Sequence, residues 1–175
     1  LWDESRAAAL REKCLGQIGE VTEEAKPSTQ LSPLLYDLTS LQREANSRFG
    51  FSAKATLGLA QALYEKHKVL TYPRTDARAL PEDYVGTVRS TMEMLSGKEL
   101  TKTSDPSIAN RYGIFASEIL KKNWVAPNKR IFNNTKISDH FAIIPTLQAP
   151  KSLSEPEQKL YDMVVKRFLA VFYPA

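Results

Sequence analysis

Residues 52–83 read SAKATLGLAQALYEKHKVLTYPRTDARALPED, and the stretch changes character halfway along. Its first half carries the strongest helical pattern in the chain. Ser52 is a good N-cap, able to accept an orphan backbone N–H of the first turn. Ala55, Leu59, Ala62 and Leu63 recur at the i, i+4, i+7, i+8 spacing of one helical face. Lys66, His67 and Lys68 fall in the expected last turn, where the helix dipole favours cations. The pattern then stops. Val69-Leu70-Thr71-Tyr72 is a short apolar run, and Pro73 disfavours helical angles at Tyr72. If this piece is extended, Tyr72 and Arg74 point to the same side.

Working outward, the character turns helical near Leu38, and SLQREANSR (40–48) reads as a helix with Gly50 behind it. Downstream, Leu80-Pro81-Glu82-Asp83 opens a helix whose stripe is Val85, Val88, Met92 and Leu95, closed by Gly97. Residues 98–110 are polar and read as a loop. Ile114 to Lys122 reads as a helical segment. Trp124 to Thr146 is irregular, basic at first, and then holds SDHFAIIPT (138–146). At the end, Ser154 and Glu157 form a capping box with Pro156 in the first turn. Tyr161, Val164, Val165, Phe168 and Phe172 follow as an apolar face. At the other end, Asp3 to Leu15 reads as a short helix with Ala7, Leu10 and Cys14 on one face and Gly16 as its stop. GEVTEEAKPSTQLSPLLYDL (19–38) holds one strand-like piece punctuated by Pro27, Ser28, Ser32 and Pro33. The expected fold is mainly α (α+β overall), with four or five helices after residue 40 and a small β-containing segment before it.

Composition narrows the chemistry. With 42% hydrophobic and 25% charged residues, the 175-residue chain is of ordinary globular make-up. No apolar run approaches the roughly 20 residues of a membrane helix. The single cysteine, Cys14, rules out an intrachain disulfide and a Cys-based zinc cluster, and His67 and His140 are too few for a histidine cage. These features fit an intracellular protein, and a first residue that is Leu rather than Met suggests a piece of a longer polypeptide. Charge is uneven: residues 1–40 hold 4 Lys or Arg against 7 Asp or Glu, a balance of −3, and residues 41–175 hold 20 against 13, a balance of +7. A basic body points to an anionic partner such as nucleic acid.

TYPRTD (71–76) can be chemistry or architecture. A phenol has a pKa of about 10 and is a weak nucleophile until a neighbouring cation stabilises the phenolate and the electrophile. Arg74 can hold a phosphate oxygen bidentately. Asp76 can orient the guanidinium, and His140 can donate to a phosphate or shuttle a proton. Together they suit phosphoryl transfer to tyrosine. Equally, Tyr72-Pro73 can be a turn, Arg74 and Asp76 an exposed ion pair worth under about 1 kcal/mol, and His140 a cap or a packed side chain. Spacing alone leaves both open.

TYPRTD, with LYDLTSLQREANSRFGFSAKATLGLAQALYEKHKVL before it, resembles the active-tyrosine region of type IA DNA topoisomerases, the topoisomerase III branch above all. SDHFAIIPT resembles that family's second motif, in which a histidine precedes Ala-Ile-Ile-Pro-Thr. The resemblance covers most of residues 20–175 in the family's order. It implies that Tyr72 attacks a single-stranded DNA phosphodiester and becomes linked to the 5′ phosphate. It implies further that Arg74 contacts the scissile phosphate, Asp76 supports it, and His140 assists binding and cleavage. Rejoining after strand passage needs no ATP. Two positions depart from the family: Ala77 stands where a serine is usual, and Phe141 where many members carry a second histidine.

The same resemblance implies a division into residues 1–39, part of a β-rich arch domain, and 40–175, the helical catalytic-tyrosine domain. The family's Mg²⁺ is bound by acidic residues of a separate N-terminal domain, and no such carboxylate cluster is legible here. The expected partners are single-stranded DNA, that metal-binding domain and the remaining arch. The expected setting is the bacterial cytoplasm, at the nucleoid. Alone, the chain is expected to be a half site with Tyr72 fairly exposed and little or no cleavage activity. Lys54, Arg78, Lys121, Lys122, Lys129, Arg130 and Lys136 are candidate phosphate contacts, and Tyr112 and Trp124 candidate stacking platforms for bases. The alternative reading is a non-catalytic helical DNA-binding module, in which TYPRTD is only a turn and Tyr72 and His140 need not meet.

Overall fold

Capping chemistry sets the helices. The computed structural model describes residues 3–97 and 107–174. Asp37 caps α2 (Leu38–Phe49) through a reciprocal box with Ser40, and Gly50 ends it in the left-handed region at φ 70°. Ser52 accepts the Ala55 N–H to start α3 (Ala53–Glu65). A short 3-10 turn at Glu82–Tyr84 leads into α4 (Val85–Leu95), and α5 spans Ser107–Lys121. The Ser154–Glu157 capping box, with a proline in the first turn, opens α6 (Glu155–Ala170). Before all of these, α1 (Glu4–Cys14) is capped by Asp3 but buries none of its residues.

The core forms where α6 packs on α3 and α5, with α2 against α3 and α4 against α5. Val88, Met92 and Leu95 of α4 and Tyr161, Val164, Val165 and Phe168 of α6 are buried, as their stripes require. The fold is mainly α. β-pairing among the described residues amounts to isolated bridges at Tyr36–Ile143, Leu70–Pro145 and Leu80–Phe132.

Several expectations change. The strand-like piece within 19–38 is not a strand: the backbone of 17–35 has no β-partner among the described residues, and only Tyr36 bridges. Extended sequence makes a strand only where an edge is offered to it. Its end is nonetheless well anchored. Leu35 and Tyr36 are buried in the helical core, and three guanidiniums hold the approach: Arg78 Nε donates to Leu35 O (3.1 Å), Arg167 Nη1 to Leu34 O (2.9 Å), and Arg130 to Ser32 O. In α3 the buried residues are Thr56, Ala60 and Leu63, while Ala55 is exposed. The face is rotated because α2 and α6 flank the helix together. α3 also ends at Glu65, so Lys66 is its C-cap and Lys68 lies beyond it at φ 59°. α5 begins at Ser107, seven residues earlier than expected; of the polar stretch 98–110, residues 98–106 lie outside the described residues.

Candidate active site around Tyr72

Two irregular stretches, 69–80 and 131–146, lie side by side and are laced together. Thr71 N–H donates to Ile144 O (3.0 Å), Ile144 N–H to Thr71 Oγ1 (2.9 Å), and Thr71 Oγ1 to Ala142 O (3.1 Å). Ala142 N–H donates to Ala79 O, and Leu80 N–H to Ile131 O. Thr75 Oγ1 reaches His140 O at 3.0 Å, while Leu38 N–H donates to Thr75 O. The sequence forces this arrangement. Pro73 keeps the chain extended, and Ile143 and Ile144 are apolar residues that the core buries.

Extended backbone alternates its faces, and burial follows that period. Pro73, Thr75, Ala77 and Ala79 point inward. Tyr72, Arg74, Asp76 and Arg78 take the other face: Arg74 and Asp76 are exposed, Tyr72 and Arg78 half-buried. The Tyr72 ring lies 4.3 Å from the exposed His140 ring, centroid to centroid, and 5.4 Å edge-on from Tyr64. Tyr72 and His140, 68 positions apart in sequence, are thus in contact, with Arg74 projecting to solvent on the same face. The expected Asp76–Arg74 pairing is not formed. Asp76 accepts instead from Ser138 Oγ (3.3 Å) and ion-pairs with no arginine among the described residues. Tyr72, expected to be fairly exposed, is half-buried, with Tyr64 and His140 against its ring.

At the two unusual positions, Ala77 is buried with its N–H on Thr75 Oγ1 (3.1 Å), and Phe141 packs on Tyr84 at 4.9 Å. Phe141 also lines a groove beside Tyr72, and Ala77 does not.

A profile of the DNA topoisomerase family matches residues 1–175. The chain belongs to that family. Its relatives include DNA topoisomerase 3 of Bacillus cereus, 47% identical over 152 residues, which are 86% of this chain and 19% of that protein. DNA topoisomerase 3 of Bacillus subtilis is 46% identical over 160 residues, covering 90% of the chain and 20% of the relative. That of Shouchella clausii is 43% identical over 179 residues, covering 99% and 23%. The chain therefore spans about a fifth of the length of the curated relatives it matches. The resemblance to the topoisomerase III branch stands, and the name these relatives carry is that of an isomerase.

Within this topoisomerase-family chain the candidate DNA-contacting cations divide. Lys54, Lys121, Lys122 and Lys136 are exposed. Lys129 is bound to Glu82 (2.6 Å), and its ammonium draws the Glu82 carboxyl below the ordinary range. Arg78 and Arg130 hold the backbone of residues 32–35, which is a structural duty that sequence reading could not see. Of the stacking candidates, Tyr112 is core: it is 1% exposed and donates to Asp162 Oδ1 (3.1 Å), so no base can reach its face. Trp124 is half-buried, edge-on to Tyr173 at 4.9 Å. Among the described residues no three His, Cys, Asp or Glu side chains converge to hold a metal, and no helix is long and apolar enough to cross a membrane.

Sequence reading missed Tyr64 as a neighbour of Tyr72 and Ser138 as the partner of Asp76. It had no signal for either, since the first contact depends on how α3 turns into the extended segment and the second on the pairing of 69–80 with 131–146.

Proposed function

We propose that this chain is the tyrosine-bearing part of an ATP-independent type IA DNA topoisomerase that cleaves and rejoins single-stranded DNA. The observation that carries the reading is the contact of Tyr72 with His140 on the face from which Arg74 projects. A turn or a non-catalytic DNA-binding module has no need of that meeting.

In this reading Arg74 binds the scissile phosphate through its fork of N–H donors. Tyr72 Oη bonds to phosphorus as its phenolic proton leaves, the bond from phosphorus to the 3′ oxygen breaks, and the 3′ oxygen departs as a hydroxyl. His140, beside the phenol, moves a proton or donates to the phosphate. Asp76, held by Ser138, keeps the loop 138–140 against the 72–76 segment. The 5′-phosphotyrosine conserves the energy of the broken bond, so the 3′ hydroxyl restores the strand by the reverse attack. Mg²⁺ belongs, in this reading, to residues outside this chain, since among the described residues no three carboxylates or other ligating side chains converge to hold it. Residues 40–175 form the catalytic-tyrosine domain. Residues 1–39 belong, in this reading, to the neighbouring arch. The working partners are single-stranded DNA and the metal-binding and arch domains, in the bacterial cytoplasm at the nucleoid. Alone, the chain is a half site.

The test grafts this chain in place of the matching stretch of the Bacillus subtilis relative and incubates it with Mg²⁺ and single-stranded DNA. A 3′-labelled strand should leave its label on denatured protein, a 5′-labelled strand should not, and Tyr72→Phe should abolish the adduct. An adduct that survives Tyr72→Phe, or one that carries the 5′ label, contradicts the reading.

A further inference from the structure

Thr75 is buried, 8% exposed, and it bonds to three pieces of chain at once. Its hydroxyl donates to His140 O (3.0 Å) and accepts the Ala77 N–H (3.1 Å), while its carbonyl accepts the Leu38 N–H (3.0 Å). The residues around His140 are sparsely held. Ala142 N–H is pinned to Ala79 O and Ile143 N–H to Tyr36 O, but no backbone–backbone hydrogen bond reaches residues 138–141 among the described residues. Pro73, opposite, has no N–H to offer. The tyrosine segment therefore grips 138–141 through two side chains. Asp76 is exposed and accepts from Ser138 Oγ at 3.3 Å, and Thr75 donates to His140 O from the buried face. Water competes for the first bond and is kept from the second, which makes the Thr75 bond the firmer of the two. That bond sets the plane of the peptide after His140, and the His140 ring lies 4.3 Å from the Tyr72 ring.

We propose that Thr75 is a positioning residue: its hydroxyl holds the His140 carbonyl and so keeps the imidazole against the Tyr72 phenol. Thr75 points away from the reactive face and touches no reacting atom; it acts through His140. A proton donor or acceptor works only within hydrogen-bond reach of its target, so a loop left free to drift would lose rate before it lost stability. The consequence for cleavage rests on the topoisomerase reading, while the positioning itself can be measured without DNA.

The chain has two histidines, which makes their ring protons easy to follow by nuclear magnetic resonance. His140 feels the ring current of Tyr72, and His67, 3.1 Å from Glu157, is the internal control for the fold. Tyr72→Ala marks where the His140 signals fall without that ring. Thr75→Val, which keeps the shape and removes the hydroxyl, should move them in the same direction and leave His67 in place. Thr75→Ser should restore the wild-type positions. In the grafted enzyme Thr75→Val should slow adduct formation about tenfold, part of the roughly 100-fold lost by His140→Ala, and should cost nothing further once His140 is alanine. Unmoved His140 signals in Thr75→Val overturn the proposal. So does movement of both histidines together, or an equal loss of rate with and without His140, since either makes Thr75 a general support of the fold. His140 signals that move as expected in a chain whose graft forms no adduct uphold the positioning and overturn the topoisomerase reading instead.

Discussion

Arg74 is the residue whose removal best separates chemistry from architecture. Its guanidinium is exposed and ion-pairs with nothing among the described residues, so Arg74→Ala should leave the unfolding midpoint unchanged. If it binds the scissile phosphate, the variant should lose about 100-fold in the rate of adduct formation in the grafted enzyme, the scale of losing one charge-stabilising donor. A variant that cleaves at the wild-type rate would return Arg74 to the surface. The common face of Tyr72 and Arg74 is legible from sequence, because Pro73 compels extended backbone and extended backbone has period two. Tyr64 is not legible as a neighbour of Tyr72. That contact depends on the turn after α3, where Lys68 is left-handed at φ 59°, and no local rule marks a lysine for that conformation.

At the scale of the elements, caps were the readable part. Ser52, Gly50 and the Ser154–Glu157 box each advertise a helix end with side-chain chemistry that needs no tertiary partner. Which face a helix buries is set by its neighbours, so the buried face of α3 differs from its sequence stripe, and the N-terminal segment, offered no edge among the described residues, forms no strand. Glu157 ties the two levels together. Its carboxylate accepts the Ser154 N–H (2.8 Å) and lies 3.1 Å from His67 Nε2, linking α6 to the end of α3. Burial works to raise the Glu157 pKa, but the Ser154 and His67 hydrogen bonds outweigh it and the net shift is downward. A lowered folded value means stabilisation that is present above the ordinary glutamate range, about 4.3, and is lost as pH falls through the folded value. Glu157→Gln should therefore cost about 1 kcal/mol at neutral pH, and the gap to wild type should close in acid. A gap that stays constant to low pH would mean the carboxylate charge contributes nothing. In the same helix the Tyr161 hydroxyl is fully buried with no hydrogen-bond partner among the described residues. Tyr161→Phe should raise stability by about 1 kcal/mol, read from denaturant unfolding; a loss of stability would reveal a partner for the hydroxyl.

The whole molecule carries its tyrosines in two settings. Tyr36, Tyr112 and Tyr161 lie in the core, where burial pushes their phenols well above the ordinary value of 10.0. Tyr173 is pushed up to about 12 by burial and by its hydrogen bond to Glu118. Because these folded values are raised, their stabilising effect is complete below pH 10 and is lost as pH rises beyond it, where only the unfolded chain ionises. Alkaline titration followed by phenolate absorbance should show these tyrosines ionising together with loss of helical circular dichroism. Ionisation that finishes while the helices persist would contradict the packing described for α5 and α6. This core is also what holds the reactive face in place. Ile143 and Ile144 anchor one side of the site, Ala77 and Leu80 the other, and the Arg78, Arg130 and Arg167 guanidiniums fasten the incoming segment at 32–35 beside them. The site is a product of non-local pairing between the 69–80 and 131–146 stretches.

Peptide mapping shows whether Tyr72 becomes covalently joined to DNA. The adduct formed by the grafted enzyme would be trapped by denaturation, trimmed with nuclease, cut with trypsin and weighed. Trypsin cuts after Lys68 and Arg74, so the added nucleotide mass should ride on the peptide Val69–Arg74, VLTYPR, through a 5′ phosphate on Tyr72. Nucleotide mass on any other peptide, with VLTYPR recovered unmodified, would contradict it.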